Sequence, residues 1–400
     1  MSRLFVQFCF LFFLLAPITA CADSDFQKWI ADFYRTAAKN GISRKVYDRA
    51  FSGVTTVNAK VLESAQYQPE FTLEIWDYLD TRVNFLSVSR GRRLLGEHKS
   101  TLGAIERKYG VPESVLLSIW SMESNYGAIF NRPGRLHYIP HALATLAFSD
   151  KKRSRFASSQ LLAALQILQS GDIQRQDFMG SWAGAMGHTQ FIPTSYLAYG
   201  VDMDGDGRRD IWHSIPDALA TAANLLYKNK WQRGKTWGYE VLSPGTNKQD
   251  LVGSTRTLAE WERLGFKRAN GKPFPRPQDK AILKMPGGRK GPFFLMLKNF
   301  FVIKKYNNSD FYALAVSLLA DQIAGFSPVK QEWPRPPEAL NAAEKLEVQR
   351  LLKKKGYYAG EIDGYIGSGT REAIRFFQKK AGLSETGKVN RELLKALQDE

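Results

Sequence analysis

The stretch that most constrains this chain is an apolar helix ending on an acid and a turn. Val111-Pro112-Glu113-Ser114-Val115-Leu116-Leu117-Ser118-Ile119-Trp120 runs into Met122-Glu123-Ser124-Asn125-Tyr126-Gly127. Pro112 and Glu113 fall in the first turn, where backbone amides have no intrahelical acceptor and neither residue costs a hydrogen bond. Leu116, Ile119, Trp120 and Glu123 follow the i, i+3, i+4, i+7 spacing and share one face. A carboxyl among such neighbours is desolvated, its charged form is disfavoured, and it is suited to donate a proton near neutral pH. The plainer alternative is a helix-end Glu that caps or pairs on a solvated face.

The surrounding chain decides between them. Glu123-Ser124-Asn125-Tyr126-Gly127 resembles the catalytic-acid motif of lytic murein transglycosylases of the membrane-bound lytic transglycosylase B type. Further segments resemble that family in the same order: Gln68-Pro69-Glu70-Phe71, Trp76-Asp77-Tyr78-Leu79 and Ala142-Leu143-Ala144-Thr145-Leu146-Ala147. Gly184-Ala185-Met186-Gly187-His188-Thr189-Gln190-Phe191-Ile192-Pro193 follows, then Tyr306-Asn307-Asn308-Ser309 and Tyr312-Ala313-Leu314-Ala315. The resemblance implies a mainly α fold with a lysozyme-like (goose-type) catalytic core. It implies cleavage of the β-1,4 bond between N-acetylmuramic acid and N-acetylglucosamine in peptidoglycan, with 1,6-anhydromuramoyl ends as product. Glu123 would be the single acid and then the base, with no cofactor required. Attack by a hydroxyl tethered to the sugar explains how a second carboxylate, which ordinary glycosidases need, is dispensed with. Of the acids elsewhere, Asp150, Asp172 and Asp177 are second-carboxylate candidates only by their distance in sequence. By the same resemblance Ser181, Gln190, Tyr306, Asn307 and Tyr312 hold the glycan. The chain departs from the family at His188, where Tyr or Gly is common, and at Leu225, where Tyr is common. Two rival functions stay open: a hydrolytic muramidase, and a catalytically silent wall-binding protein.

The formal charge of +17, from 56 basic and 39 acidic residues, favours a polyanionic partner. Basic residues are spread along the chain without a zinc-finger, homeodomain or RNA-recognition signature, so no nucleic acid is expected. Peptidoglycan, with its acidic stem peptides, and anionic envelope lipid fit the charge as well. At the N-terminus, Arg3 and the apolar run Leu4–Ala16 read as a signal peptide over residues 1–22, too short for a membrane span. Ala20-Cys21-Ala22 fits A-x-A cleavage, and Ile18-Thr19-Ala20-Cys21 resembles a lipobox. The expectation is therefore export to the periplasm of a Gram-negative bacterium, as a soluble protein or one lipid-anchored to the outer membrane at Cys21, and a monomer. Cys9 and Cys21 are the only cysteines, which leaves the exported body without disulfide, thiolate metal site or catalytic Cys.

Organisation follows from periodicity. Residues 23–330 read as the catalytic domain, with helical spacing at Phe26, Trp29, Ile30, Phe33 and Tyr34, and helices over 158–168, 216–227 and 311–325. Tyr239 to Pro292, rich in Gly and Pro with short strand-like runs, reads as an inserted loop-rich lobe. Residues 331–339, with three prolines in seven positions, form a stiff linker. Residues 340–400 carry three helical patterns and resemble the three-helix peptidoglycan-binding domain (type 1), through Val348-Gln349-Arg350-Leu351-Leu352, Asp363-Gly364 and Thr370-Arg371-Glu372-Ala373-Ile374. Such a module tethers an enzyme to an insoluble polymer.

One metal pattern is present. Asp202, Asp204 and Asp206, the Arg208 carbonyl and a later Asp217 resemble an EF-hand opening and form a candidate structural calcium site, although His213 stands where a bidentate Glu is usual. The alternative is a charged Asp/Gly turn without an ion. His137 and His141 have zinc-helix spacing, but Pro140 intervenes and no third ligand is apparent, so a surface turn is expected there.

Overall fold

The computed structural model describes residues 19–66, 73–131, 134–245 and 249–399. The apolar run Leu4–Ala16 and the Gln68–Phe71 motif lie outside them. The chain divides into two compact units, one from residues 1–68 and 137–184, the other from residues 69–136 and 185–400.

The first unit is helical. Thr19–Lys39, Arg44–Phe51 and Ala59–Gln66 surround Ile139–Ser149 and Ser154–Ser170. Phe26, Ile30 and Phe33 are buried as their spacing predicts, while Trp29 and Tyr34 sit at the margin. In Ile139–Ser149 every residue from Ala142 to Ala147 is buried. Its small alanines bring backbones close and let Val61 and Ala157 pack against Leu146. Pro140 does not interrupt this helix; it occupies the first turn, where its missing N–H is harmless. The expected surface turn is thereby corrected. His137 is buried in a two-residue strand paired with Met179–Gly180, and His141 lies in the first helical turn with Nε2 2.8 Å from the Thr56 carbonyl.

The second unit is built on Glu113–Ser124, whose residues Val115 to Met122 are all buried. Asp310–Ile323, Phe85–Glu97 and Ile215–Lys228 pack around it, and Ile75–Arg82 packs on Asp310–Ile323. The inserted lobe is more ordered than its composition suggests. Tyr239 to Pro292 belongs to a five-stranded antiparallel sheet in the order Thr255–Thr257, Lys280–Lys284, Phe293–Met296, Gly238–Leu242, Lys267–Arg268. Trp261, on the short helix Leu258–Arg263, fills its core beside Val241, Phe266, Leu283 and Leu295, and donates Nε1–H to the Ala281 carbonyl at 3.1 Å. Strands of two to five residues are too short for alternation to stand out from a Gly- and Pro-rich background.

The C-terminal domain has the expected three helices, Ala342–Lys354, Ser368–Lys380 and Arg391–Asp399, around Val348, Leu352, Ile374, Phe377, Leu393 and Leu397. Phe377 is buried in this core, while its neighbour Phe376 is exposed. The linker before this domain is fastened down. Glu240 accepts from the Lys330 and Gln331 amides, and Trp333 stacks near Phe294 at 6.3 Å. Arg335 makes a bidentate pair with Asp80 at 2.7 Å on both arms. Lys345 joins the same carboxylate at 2.9 Å and reaches Asp77 at 2.6 Å. Asp80 and Lys345 are both 6% exposed. Buried charges of this kind tolerate no loss of partner, because the survivor cannot be rehydrated in place. Asp80→Ala is therefore expected to destabilise the second unit by about 3–5 kcal/mol and to make the 331–341 segment the first site of limited proteolysis. Denaturant titration and mass mapping of the cuts check it; an unchanged midpoint and cut pattern would remove the clamp.

Candidate active site

Glu123 reaches its place because its helix stops abruptly. Asn125 (φ 50°), Tyr126 (φ 56°) and Gly127 (φ 85°) are left-handed in succession. For the two residues other than Gly this costs about 1–3 kcal/mol each, so neighbours must hold the turn. The Asn125 and Tyr126 amides bond back to the Ser121 and Trp120 carbonyls. Ser124 Oγ donates to the His188 carbonyl at 2.7 Å and accepts from the Gly127 amide at 2.9 Å. Tyr126 donates its hydroxyl to the Ser87 carbonyl at 2.8 Å. At Gly127 a Cβ would stand 2.7 Å from His188 Cε1, so glycine serves both the backbone angle and the close approach.

The carboxyl so presented is unusual. Glu123 is half-buried, and desolvation of its carboxyl pushes the pKa from 4.5 up to about 7. Tyr312 donates its hydroxyl to Glu123 Oε1 at 2.5 Å, and Arg82 lies near enough to act on it. Both favour the carboxylate and both are outweighed by desolvation. No carboxylate is among the groups that shift Glu123.

Tyr306 and Tyr312 stack nearly parallel, 6.4 Å between centroids, and Tyr306 donates its hydroxyl to the Thr189 carbonyl at 2.5 Å. Burial and the Glu123 charge push both phenols well above their usual range, so both stay protonated and able to donate. Gln190, left-handed at φ 50°, turns its Nε2 onto the Gly187 carbonyl at 2.8 Å. Asn307 is exposed just before Asp310–Ile323. Ser181 lies in the first unit, directly after the strand Met179–Gly180. The structure thus brings Glu123, Tyr306 and Tyr312 together and leaves Asn307 at the surface. In the first unit, Asp150 pairs with Arg153 and Asp172 accepts from Ser170 Oγ, so both have local structural duties.

Residues with no role in the sequence reading also matter. Arg82, on Ile75–Arg82, acts electrostatically on Glu123 and on Tyr78, and the Glu123 charge acts on Tyr78. Trp76-Asp77-Tyr78-Leu79 carries a signal for that helix, but nothing marked Arg82. His188 accepts from Trp120 Nε1 at 3.1 Å through Nδ1, and burial lowers its pKa to about 4. It is neutral and braces the Glu123 turn, a structural duty consistent with its departure from the family pattern. Leu225 is 5% exposed and packs as core.

Asp202, Asp204 and Asp217 each place a ligand oxygen within 4.8 Å of the others. Asp206 stands outside that trio, its Oδ1 accepting from the Arg208 amide at 2.8 Å. Asp217 is fully buried and holds the loop by accepting from the Met203 and Asp210 amides at 2.7 and 2.8 Å.

The transglycosylase SLT domain family matches residues 25–321, and the peptidoglycan binding domain matches residues 342–397. The chain belongs to the transglycosylase SLT domain family. It is similar to SltB3 from Pseudomonas aeruginosa, solved in complex with NAG-anhNAM-pentapeptide and with NAG-NAM-pentapeptide. The identity is 42% and the TM-score 0.74, over 93% of this chain and 99% of that one. The soluble lytic transglycosylase SltB1 from the same organism matches at 27% identity and TM-score 0.63, over 75% of this chain and 98% of that one. Membrane-bound lytic murein transglycosylase B of Escherichia coli (strain K12) is 27% identical over 250 residues, 62% of this chain and 67% of that protein. The protein is an enzyme of the lytic transglycosylase type acting on peptidoglycan, with a lysozyme-like core. No helix among the described residues is long and apolar enough to cross a membrane.

Two outcomes follow from the Glu123 environment. Between about pH 4.5 and pH 7 the unfolded chain has lost this proton while the folded one retains it, so raising pH favours unfolding. Glu123→Gln escapes that penalty and is expected to be more stable than the parent by about 1–3 kcal/mol at pH 8 but not at pH 4; denaturation at both pH values checks it. Tyr312→Phe removes a hydrogen bond to the carboxylate, so the Glu123 pKa should rise further. A carboxyl titration followed by carbon-13 NMR that moves downward would contradict the geometry.

Proposed function

We propose that Glu123 is the single general acid and base of a non-hydrolytic cleavage that leaves 1,6-anhydromuramoyl ends. The Glu123 carboxyl gives its proton to the glycosidic oxygen as the bond from that oxygen to muramoyl C1 breaks, and N-acetylglucosamine leaves with a 4-hydroxyl. The carboxylate then takes the proton of the muramoyl 6-hydroxyl while O6 bonds to C1, which restores the acid without consuming water. The observation that carries this is the carboxyl held at a pKa near 7 under the Tyr312 hydroxyl, since one group must be competent in both states at one pH. Tyr312 positions the carboxyl. The stacked Tyr306 and Tyr312 rings supply an aromatic wall for a sugar face, and Gln190, Asn307 and Ser181 are assigned to the glycan.

The enzyme is assigned to the periplasm, exported by residues 1–22, with Cys21 as the lipid-anchor position if it is acylated. The Asp202, Asp204 and Asp217 oxygens fit a hard cation such as calcium. Burial and the Asp204 charge raise the Asp217 pKa, and a cation would relieve both. Asp206 and the Arg208 carbonyl complete the proposed loop, and the ion's contribution there would be structural.

Mass analysis of products from purified sacculi tests the reaction. Anhydro ends are expected, and Glu123→Gln should lose roughly a thousandfold or more in rate. Hydrated reducing ends would make the enzyme a muramidase, and undiminished lysis by Glu123→Gln would remove that residue from the chemistry. Calcium is expected to raise the melting temperature of chelator-treated protein, whereas an identical temperature with and without it would exclude the ion.

A further inference from the structure

The second unit holds an open groove of about 1460 Å³ whose walls come from both of its parts. On the catalytic side it is lined by Arg82, Arg90, Arg93 and Arg135, and it reaches Asn125 and Ala128 on the turn that follows Glu123. On the C-terminal side it is lined by Lys353, Tyr358 and Tyr365. Five cations therefore face two carboxylates, Glu361 and Asp363. Asp363 is already engaged by Gln349 Nε2 and the Tyr365 amide. Of the cations, Arg93 pairs with Glu97 and Arg90 lies over the Tyr126 ring at 5.5 Å. The two walls are kept in register by the buried Asp80, Arg335 and Lys345 cluster and by Asn84, which touches the Asp363 carbonyl at 3.5 Å. The C-terminal domain is thus one wall of this groove and not a module on a free tether.

We propose that this groove receives the carboxylates of the stem peptide carried by the glycan, so that the docked C-terminal domain selects peptide-bearing strands for the Glu123 site. The inference rests on the peptidoglycan reading above. A neutral sugar strand gives no reason for guanidinium groups along the groove, whereas a peptide branching from each muramoyl residue brings carboxylates beside the strand. Arginine forks match carboxylates in two-point contacts, and opposite charge across a polar groove contributes specificity that salt weakens.

The test uses the full chain on three glycans of equal length: with native stem peptides, with the stem carboxylates amidated, and with the peptides removed. The parent should cleave the native form roughly tenfold faster than the other two, and the preference should shrink as salt rises. The double variant Arg135→Gln/Lys353→Gln, one change on each wall, should lose the preference while its rate on peptide-free glycan stays unchanged. Binding of the three glycans to Glu123→Gln supplies a readout independent of turnover, and should rank them in the same order. Equal rates and binding on native and amidated glycans, or a preference untouched by the double variant, would overturn the proposal while leaving the cleavage chemistry standing. Binding that discriminates the native form with no cleavage of any glycan would instead overturn the chemistry and support the groove.

Discussion

Everything at the site depends on keeping one carboxyl out of water without leaving it unsupported. Desolvation alone would hold Glu123 protonated, and a full set of donors would hold it ionised. The structure balances burial against one phenol and one guanidinium, and the balance falls near neutrality. That balance needs the carboxyl fixed to within a hydrogen-bond length, which explains why the turn after it is so heavily braced.

The bracing is arranged in layers. Trp120, on the same helix as Glu123, bonds His188; His188 returns a carbonyl to Ser124; Ser124 holds Gly127. Tyr126 anchors the turn to the neighbouring helix through Ser87. Three consecutive left-handed residues would not persist in isolation, and here the Asn125 and Tyr126 amides close on the helix, Gly127 on Ser124, and the Tyr126 hydroxyl on Ser87. Thr189, next to His188, accepts the Tyr306 hydroxyl, so the segment that braces the turn also fixes the ring stacked on Tyr312.

Much of this was legible in the residues. The helix Glu113–Ser124 and the three C-terminal helices follow from periodicity, with Pro112 at the N-cap just before the first turn, and the family resemblance implied that Tyr306 and Tyr312 gather at Glu123. What was missed has a common cause. Arg82, His188 and the Asp80 cluster act through contacts far apart in the chain, and no local pattern announces which distant partner a charge will find. The β lobe escaped for a different reason: its strands are short, and its core depends on Trp261 arriving from a helix. The candidate cation loop was read as five ligands, and its geometry gathers three carboxylates while Asp206 serves the backbone.

The anchoring of the C-terminal domain changes what its attachment means. A module on a loose leash must search for its substrate again after every encounter, and ordering it costs entropy each time. With Arg335 and Lys345 both ending on one sequestered carboxylate, that ordering is settled during folding. Grip and scission then form a single rigid template, and the distance between them is a property of the protein instead of an average over its motions.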